Sequence, residues 1–218
     1  MPLHLVIANK RYSSWSLRAW LTLAYFEIPF TETLIPLDEP DTHARILEVS
    51  PSGRVPCLID GPIRIWESLA IIEYLAERFP EHPVWPRSVG ARAHARAISS
   101  EMHAGFMALR SACPMNLGRR FLRADRGGEA AKLDVARLER LWRDARATFA
   151  DDRPFLFGPF SAADAMFAPV VTRLDRYDIE VAPDTRAYMD AVLALPAMLA
   201  WTEAAEAETM IVPSDEVE

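Results

Sequence analysis

Two serines lie where the sequence passes from an apolar segment to an amphipathic one. Ser13 and Ser14 open a serine-rich run, residues 12–18 (YSSWSLR), directly after the apolar residues 3–8. This pattern predicts a junction between a strand and a helix. The first turn of a helix has backbone N–H groups without intrahelical partners and a partial positive charge, so it favours a phosphate, carboxylate or thiolate. A serine hydroxyl can add a hydrogen bond to such an anion. The same serines are also suited to capping the helix, and the residues alone leave both roles open.

A second helix start of this kind is predicted at Glu67 and Ser68. In the stretch ESLAIIEYL, residues 67–75, apolar side chains recur at helical spacing directly after Ser68. We expect the free N–H groups of this turn to bind a ligand carboxylate, and Glu67 to bind a ligand ammonium group. A purely structural cap is the alternative here as well.

The elements that must position these residues form a small α/β domain. Apolar and alternating patterns predict strands at 3–8, 30–35, 54–60 and 63–66, and helices at 14–28, 41–49 and 67–79. The two-residue turn Gly61-Pro62 joins the last two strands into an antiparallel hairpin. Pro56 is tolerated near the head of its strand, where it need not donate a ladder hydrogen bond. The predicted order is therefore βαβαββα.

The rest of the chain is predicted to be helical. Residues 81–90 contain Pro83 and Pro86 and are interpreted as a linker between residues 1–80 and an all-helical domain, residues 91–218. Helical periods predict helices at 91–111, 130–149, 162–174, 184–195 and 196–206. Ser161 and Asp164 fit a capping box, with Asp in place of the usual Glu. We expect residues 203–218 to form a surface tail.

Charge and composition limit the class of protein. The chain has 218 residues and a net charge of −7, which argues against nucleic acid or an anionic membrane as its main partner. No apolar run approaches the roughly 20 residues of a membrane helix, and no basic region precedes an apolar one near the N-terminus. We therefore expect a cytoplasmic globular protein. The five histidines are scattered without the spacing of a zinc hydrolase, so no metal site is predicted.

The order of the first seven elements resembles a thioredoxin-like domain, and three local motifs extend this resemblance to the glutathione transferase family. SSWSLR, residues 13–18, resembles the serine-rich signature of the zeta class, which includes maleylacetoacetate isomerases. Val55-Pro56 is similar to the cis-proline segment of the family, and residues 67–75 are similar to its stretch at the γ-glutamyl end of glutathione. The chain departs from the zeta signature at Trp15, where the class usually has Cys, and at Leu17, where it usually has an aromatic residue.

The resemblance implies a glutathione site on the first domain. Ser13 matches the first serine of the zeta-like motif and is predicted to hydrogen-bond the glutathione thiolate, with Ser14 as the alternative donor. The backbone of Val55 is expected to pair with the cysteinyl part of glutathione, and Glu67 and Ser68 with the γ-glutamyl end. The predicted glutathione-binding residues are Ser13, Ser14, Arg54, Val55, Pro56, Glu67 and Ser68.

A transferase must stabilise the glutathione thiolate, because a free thiol near pH 7 is about 90% or more protonated. The helix dipole and one hydroxyl donor are expected to lower the pKa of the bound thiol by about 1–2 units. Serine is a hydrogen-bond donor in this scheme and not the nucleophile. The resemblance implies transfer of glutathione to a small electrophile, or cis–trans isomerisation of a maleylacetoacetate-like substrate.

Three residues are expected near the second substrate. Arg18, one turn into the first helix, would add positive potential. Asn116, in NLG at 116–118, resembles a zeta-class segment near the site. Arg176, in DRY at 175–177, resembles the arginine that the class has near its acidic substrate. An ordinary loop asparagine and surface arginines are the alternatives.

Two other functions are compatible with this fold. A thiol–disulfide enzyme of this fold needs a thiol at the first helix start, but no cysteine precedes Cys57, which lies in a predicted strand. A non-catalytic binding or scaffold protein of the transferase fold is the second alternative. Ser13, Val55, Glu67 and Ser68, which match the family's motifs, favour a working glutathione site over it. The resemblance also implies a homodimer.

Overall fold

The computed structural model describes residues 2–217. The elements of its first half are β1 Leu3–Ile7, α1 Ser14–Tyr25, β2 Phe30–Leu34, α2 Thr42–Val49, β3 Cys57–Asp60, β4 Ile63–Trp66 and α3 Ser68–Arg78. The sheet has the order β2-β1-β3-β4, in which β1 is parallel to β2 and antiparallel to β3, and β3 and β4 form an antiparallel hairpin. The predicted βαβαββα order of a thioredoxin-like domain is confirmed.

Strand β1 connects two hydrophobic clusters, because alternate side chains of a strand point to opposite faces of the sheet. Leu5 and Ile7 belong to the main core, together with residues of α1 and α3. Val6 faces a smaller cluster with Ile46 of α2 and Cys57 of β3. The sheet is thus covered on both faces, and α1 begins just beyond the end of its most buried strand.

The second half is helical, and the predicted all-helical domain is confirmed. Its helices are α4 Val89–Ala104, α5 Met107–Ala112, α6 Gly128–Phe149, α7 Ala162–Arg176, α8 Pro183–Leu193 and α9 Pro196–Ala207. Ser88 caps α4, and its Oγ accepts a hydrogen bond from the N–H of Ala91 at 3.2 Å. Val84 and Trp85 of the preceding segment are buried.

One long helix over residues 91–111 was a wrong prediction. The helix is interrupted between α4 and α5, where Gly105 is extended and Phe106 has a left-handed backbone with φ of +59°. A Cβ at Gly105 would lie 2.8 Å from the carbonyl oxygen of Glu101, so a larger residue would not fit. The break redirects the chain so that α5 returns toward the start of α1.

Helix α7 links the two halves. Its residues 162–174 are all buried, and α1 packs against it. The predicted capping box at Ser161 and Asp164 is confirmed. The Asp164 carboxylate accepts hydrogen bonds from the N–H groups of Leu156 and Ser161 at 3.1 and 2.8 Å. Burial nevertheless raises the pKa of Asp164 to about 6, against these hydrogen bonds. The cap fixes where α7 begins and hence what α1 packs against.

The expected surface tail over residues 203–218 was also wrong for the described residues. Residues 203–207 complete α9, and residues 208–217, called here the C-terminal segment, fold back over the junction between β1 and α1. This segment ends in a short 3₁₀ turn, Pro213–Asp215. In the region from residue 2 to residue 217, no helix combines the length and the apolar character needed to cross a membrane.

Candidate active site

Ser13 caps α1 through a buried hydrogen-bond network. Its Oγ accepts the N–H of Ser16 at 3.3 Å and donates to the Ser16 Oγ at 2.7 Å. The Ser16 Oγ also accepts the N–H of Ala8, the residue after β1, at 3.2 Å. Ser13 is only 8% exposed. In this structure its proton is therefore directed along the helix start, toward Ser16.

Ser14 is the first residue of α1 and is partly exposed. Among the described residues, its hydroxyl has no hydrogen-bond partner. It lies beside a cavity of about 520 Å³ that is lined by residues of both halves of the protein. Ser13 lines the same cavity, but its hydroxyl already donates to Ser16, whereas the Ser14 hydroxyl is free to bind a ligand.

Two adjoining cavities meet at the start of α1. The smaller cavity, about 280 Å³, is lined by Trp15, Arg54, Val55, Pro56, Glu67, Ser68 and His103. The larger cavity is the one that Ser14 lines, and the two cavities share Trp15, Arg54 and Val55. The peptide bond between Val55 and Pro56 is cis. A ligand that filled both cavities would pass directly by the first turn of α1.

The smaller cavity contains polar groups that lack partners within the described chain. The Ser68 Oγ is buried and has no hydrogen-bond partner. Glu67 precedes α3 with a φ of +68°, a conformation that non-glycine residues rarely adopt and that is concentrated at ligand sites. Its carboxylate lies 3.6 Å from the Nε2 of His103, a residue of α4. The free N–H groups of a helix start can bind the carboxylate of a zwitterionic ligand, and a carboxylate side chain beside them can bind its ammonium group.

Trp15 lies between cationic side chains. The Arg18 and Arg110 guanidinium carbons lie 4.3 and 4.9 Å from the centre of its ring, and the His103 ring meets it edge-on at 5.0 Å. Burial, and secondarily the charge of Arg18, lower the pKa of His103, while Glu67 opposes this shift. Arg110 is held by hydrogen bonds from its Nη1 to the carbonyls of Gly105 and His103 at 3.1 and 3.4 Å. The charges of Arg18 and Arg110 therefore add to the positive electrostatic potential of the helix dipole at the start of α1.

The larger cavity has three arginines and one aspartate in its lining, namely Arg54, Arg110, Arg173 and Asp215. Arg173, on α7, is 6% exposed and donates hydrogen bonds to the carbonyls of Cys113 and Pro169 at 2.8 and 3.1 Å. Burial lowers the pKa of Arg173 to about 10, with a further contribution from the charge of Arg110. This cavity is suited to a small anionic molecule.

The three residues predicted for the second substrate are not among those that line the two cavities. Arg18 is buried behind Trp15, where its Nε donates to the carbonyl of Met166 at 3.1 Å and its Nη1 has no partner among the described residues. Burial lowers the pKa of Arg18 well below its ordinary value. Asn116 is buried and donates to Glu216 Oε1 at 2.8 Å. Arg176 pairs with Glu206 of α9 at 2.9 Å. Arg18 acts on the site through Trp15 and through its charge on His103, and the other two residues hold helices and the C-terminal segment together.

Several residues of this site were missed from the sequence. Arg110, Arg173, His103 and Asp215 come from four separate segments of the second half, and their neighbours in sequence form no motif. Arg173 precedes the predicted Arg176 by one helical turn on α7, and it is Arg173 that lines the larger cavity.

Neither cysteine offers a reactive thiol at the helix start. Cys57 and Cys113 are both buried and unpaired, and burial raises the pKa of Cys113 to about 11. Burial also raises the pKa of Cys57. Thiolates are therefore disfavoured at both positions. Among the described residues, no group of three or more His, Cys, Asp or Glu side chains is arranged to hold a metal ion.

A thioredoxin-like half with open helix starts, joined to an all-helical half across a shared cleft, is the architecture of glutathione S-transferases. Family models of the glutathione S-transferase N-terminal and C-terminal domains match residues 12–78 and 123–204. A probable maleylacetoacetate isomerase of Caenorhabditis elegans is 31% identical over 178 residues, which are 78% of this chain and 79% of that relative. The chain belongs to the glutathione S-transferase family.

Two further relatives are similar over different extents. A zeta class glutathione S-transferase of Euphorbia esula is 43% identical over 53 residues, which are 24% of this chain and 22% of that protein. A crystal structure of a glutathione transferase homolog from Burkholderia GL BGR1, solved with bound glutathione, has a TM-score of 0.71 and 26% identity. The match covers 94% of this chain and 98% of that chain. The zeta-like resemblance of the serine-rich motif thus agrees with the names of two relatives.

Proposed function

We propose that this protein is a glutathione-dependent enzyme that ionises the glutathione thiol at the start of α1 and directs it at a small acidic electrophile. The observation that carries this proposal is the meeting of the two cavities at that helix start. One cavity has groups for a zwitterion, and the other has cations for an acid. Family membership supports glutathione as the thiol.

Glutathione would occupy the smaller cavity with its γ-glutamyl end at Glu67 and Ser68. The unpartnered Ser68 Oγ and the first N–H groups of α3 would bind its α-carboxylate, and Glu67 its ammonium group. Val55, before the cis-proline, would offer its backbone groups to the cysteinyl part, with Arg54 beside it. This orientation would direct the thiol toward the start of α1.

The thiolate would be stabilised by the helix dipole, one serine hydroxyl and the cations around Trp15. The sequence motif favours Ser13 as the donor, and this stays a prediction. The hydrogen bond from Ser13 to Ser16 favours Ser14 instead, because the Ser14 hydroxyl is free within the described chain. We therefore propose Ser14 as the donor and Ser13 as the cap that fixes the helix start.

The larger cavity would hold the second substrate, with Arg110 and Arg173 as partners for a carboxylate. For a maleylacetoacetate-like substrate, the thiolate would add to the conjugated double bond and the electrons would move to the carbonyl oxygen as an enolate. Rotation about the new single bond and return of the electrons would expel the thiolate and leave the trans isomer. The isomerase name of the Caenorhabditis elegans relative supports this reaction. Transfer to other electrophiles, as in detoxification, uses the same first step.

We also propose that residues 1–80 bind glutathione, that residues 91–218 bind the second substrate, and that residues 81–90 link the two domains. The protein is further proposed to be a cytoplasmic homodimer. Ile63 and Trp66 on the edge strand β4 are 47% and 42% exposed, and an apolar sheet edge is unfavourable in a monomer. Light scattering at micromolar concentration should give twice the mass of one chain. The mass of a single chain would contradict the dimer.

Ser68→Ala should weaken glutathione binding by roughly tenfold or more, because one hydrogen bond to a charged group is lost. Ser99→Ala is the matched control, since the Ser99 Oγ on α4 is also buried without a partner but lines neither cavity. Isothermal titration calorimetry should give the control the same glutathione affinity as the wild type. Equal glutathione affinities for the wild type and both variants would contradict the binding of the γ-glutamyl end at the start of α3.

Ser14→Ala should lower turnover by roughly 10- to 150-fold, the equivalent of one charge-assisted hydrogen bond of about 1.5–3 kcal/mol. Ser13→Ala should instead lower the free energy of unfolding by about 1 kcal/mol, as expected of an N-cap, with a smaller effect on turnover. Steady-state kinetics on an electrophile panel that includes maleylacetoacetate, with urea unfolding in parallel, measures both effects. The reverse pattern would return the donor role to Ser13. Tight glutathione binding without turnover on any substrate would favour the non-catalytic binding protein.

A further inference from the structure

His103, near the end of α4, lines the smaller cavity from the helical half of the protein. The other residues in the lining of this cavity belong to the thioredoxin-like half. The His103 Nε2 lies 3.6 Å from the carboxylate of Glu67, which precedes α3, and the imidazole meets the Trp15 ring of α1 edge-on at 5.0 Å. The imidazole is thus held between the two helix starts at which glutathione is proposed to bind.

The surroundings of His103 oppose a positive charge on its ring. Its Nδ1 is buried and has no hydrogen-bond partner among the described residues. Burial lowers the pKa of His103, and the charges of Arg18 on α1 and Arg110 on α5 lower it further, whereas the Glu67 carboxylate opposes these effects. Arg54 adds a further positive charge to the lining from the loop before β3. The imidazole is therefore mainly neutral near pH 7 and becomes charged as the pH falls.

Glu67 can balance one cation at a time in this cavity. Of the described residues in the lining, only Glu67 has a negative charge. While His103 is neutral, that carboxylate is left for the ammonium group of a ligand. A protonated imidazole 3.6 Å away would take the place of the ammonium group as its partner and would also repel it. The charge of His103 therefore competes directly with that of the ligand.

We propose that His103 is a specificity-determining residue of the glutathione site, which admits the α-ammonium group of the γ-glutamyl end beside Glu67 only while its own ring is neutral. This inference rests on the proposed function, because it takes glutathione as the ligand of the smaller cavity. It assigns to the helical half a role in binding the γ-glutamyl end. Glutathione is bound more tightly near pH 7 and is released as His103 becomes protonated.

Two thioethers test this proposal without turnover. S-methylglutathione has no thiol, so ionisation at the start of α1 does not affect its binding. N-glutaryl-S-methylcysteinylglycine is the same molecule with hydrogen in place of the α-ammonium group. Both compounds keep their other charges between about pH 5.5 and pH 7. Their affinities for the wild type, His103→Gln and His94→Gln are measured by isothermal titration calorimetry at these two pH values.

His94→Gln is the matched control for the loss of an imidazole from α4. The His94 Nε2 is also buried without a partner among the described residues, but His94 lines neither cavity. Its ring lies beside those of Phe149 and Phe157. This variant should therefore keep the pH dependence of the wild type.

The wild type and His94→Gln should bind S-methylglutathione roughly 2- to 5-fold more weakly at about pH 5.5 than at pH 7, because the apparent affinity falls with the neutral fraction of His103. The glutaryl compound should show no such loss, since it places no cation beside the imidazolium group. In His103→Gln, the affinities of S-methylglutathione at the two pH values should agree. Protonation of Glu67 itself would also weaken S-methylglutathione, but it would do so equally in His103→Gln.

The outcomes separate this inference from the function on which it rests. If the wild type fails to bind S-methylglutathione at pH 7, the proposed glutathione site is wrong, and the inference is overturned with it. If S-methylglutathione binds but its affinity is the same at both pH values, or falls to the same extent in His103→Gln, the proposed function stands and only the role of His103 is overturned. An equal loss for the glutaryl compound would also overturn that role, and this comparison needs only the wild-type protein.

Discussion

The start of helix α1 must meet two opposed requirements. Its first N–H groups have to face a cavity, while most of the following helix is buried in the core. The loop before it is therefore fixed by side chains from other segments. Ser16 accepts the N–H of Ala8, Glu208 accepts those of Lys10 and Arg11, and the Trp201 indole donates to the carbonyl of Lys10 at 3.0 Å. Because these contacts hold the loop before α1 in place, the first turn of the helix can remain open to a ligand.

The positive charge around that helix start is maintained at a cost to the folded protein. Burial lowers the pKa values of Arg18, Arg110 and Arg173, which means that the charged forms are less favourable here than in water. Residues that line a cleft and have strongly shifted pKa values are concentrated at functional sites. An anionic ligand beside Arg110 and Arg173 would offset the free-energy cost of burying their charges. Asp215 offsets part of this charge in the unliganded protein. The cavity is thus suited to anions.

The sequence predicted those parts of the site that local patterns determine. Glu67 and Ser68 lie at the start of α3 and line the smaller cavity. Helical periodicity predicted that start without reference to the rest of the chain. The interruption at Gly105 was missed, since the helical period continues across it and the left-handed Phe106 has no sequence signal. Without that interruption, Arg110 cannot be placed beside Trp15. Asp215 was missed for a similar reason, because its position depends on contacts between residues that are about 200 positions apart, such as those between Glu208 and Lys10.

The proposed function requires that the start of α1 stabilise a thiolate. The most direct measurement is the ultraviolet thiolate absorbance of glutathione bound to the wild-type protein, followed as a function of pH and compared with free glutathione. A helix dipole with one hydroxyl donor should lower the pKa of the bound thiol by about 1–2 units. A bound thiol that titrates at the same pH as free glutathione would contradict the claim.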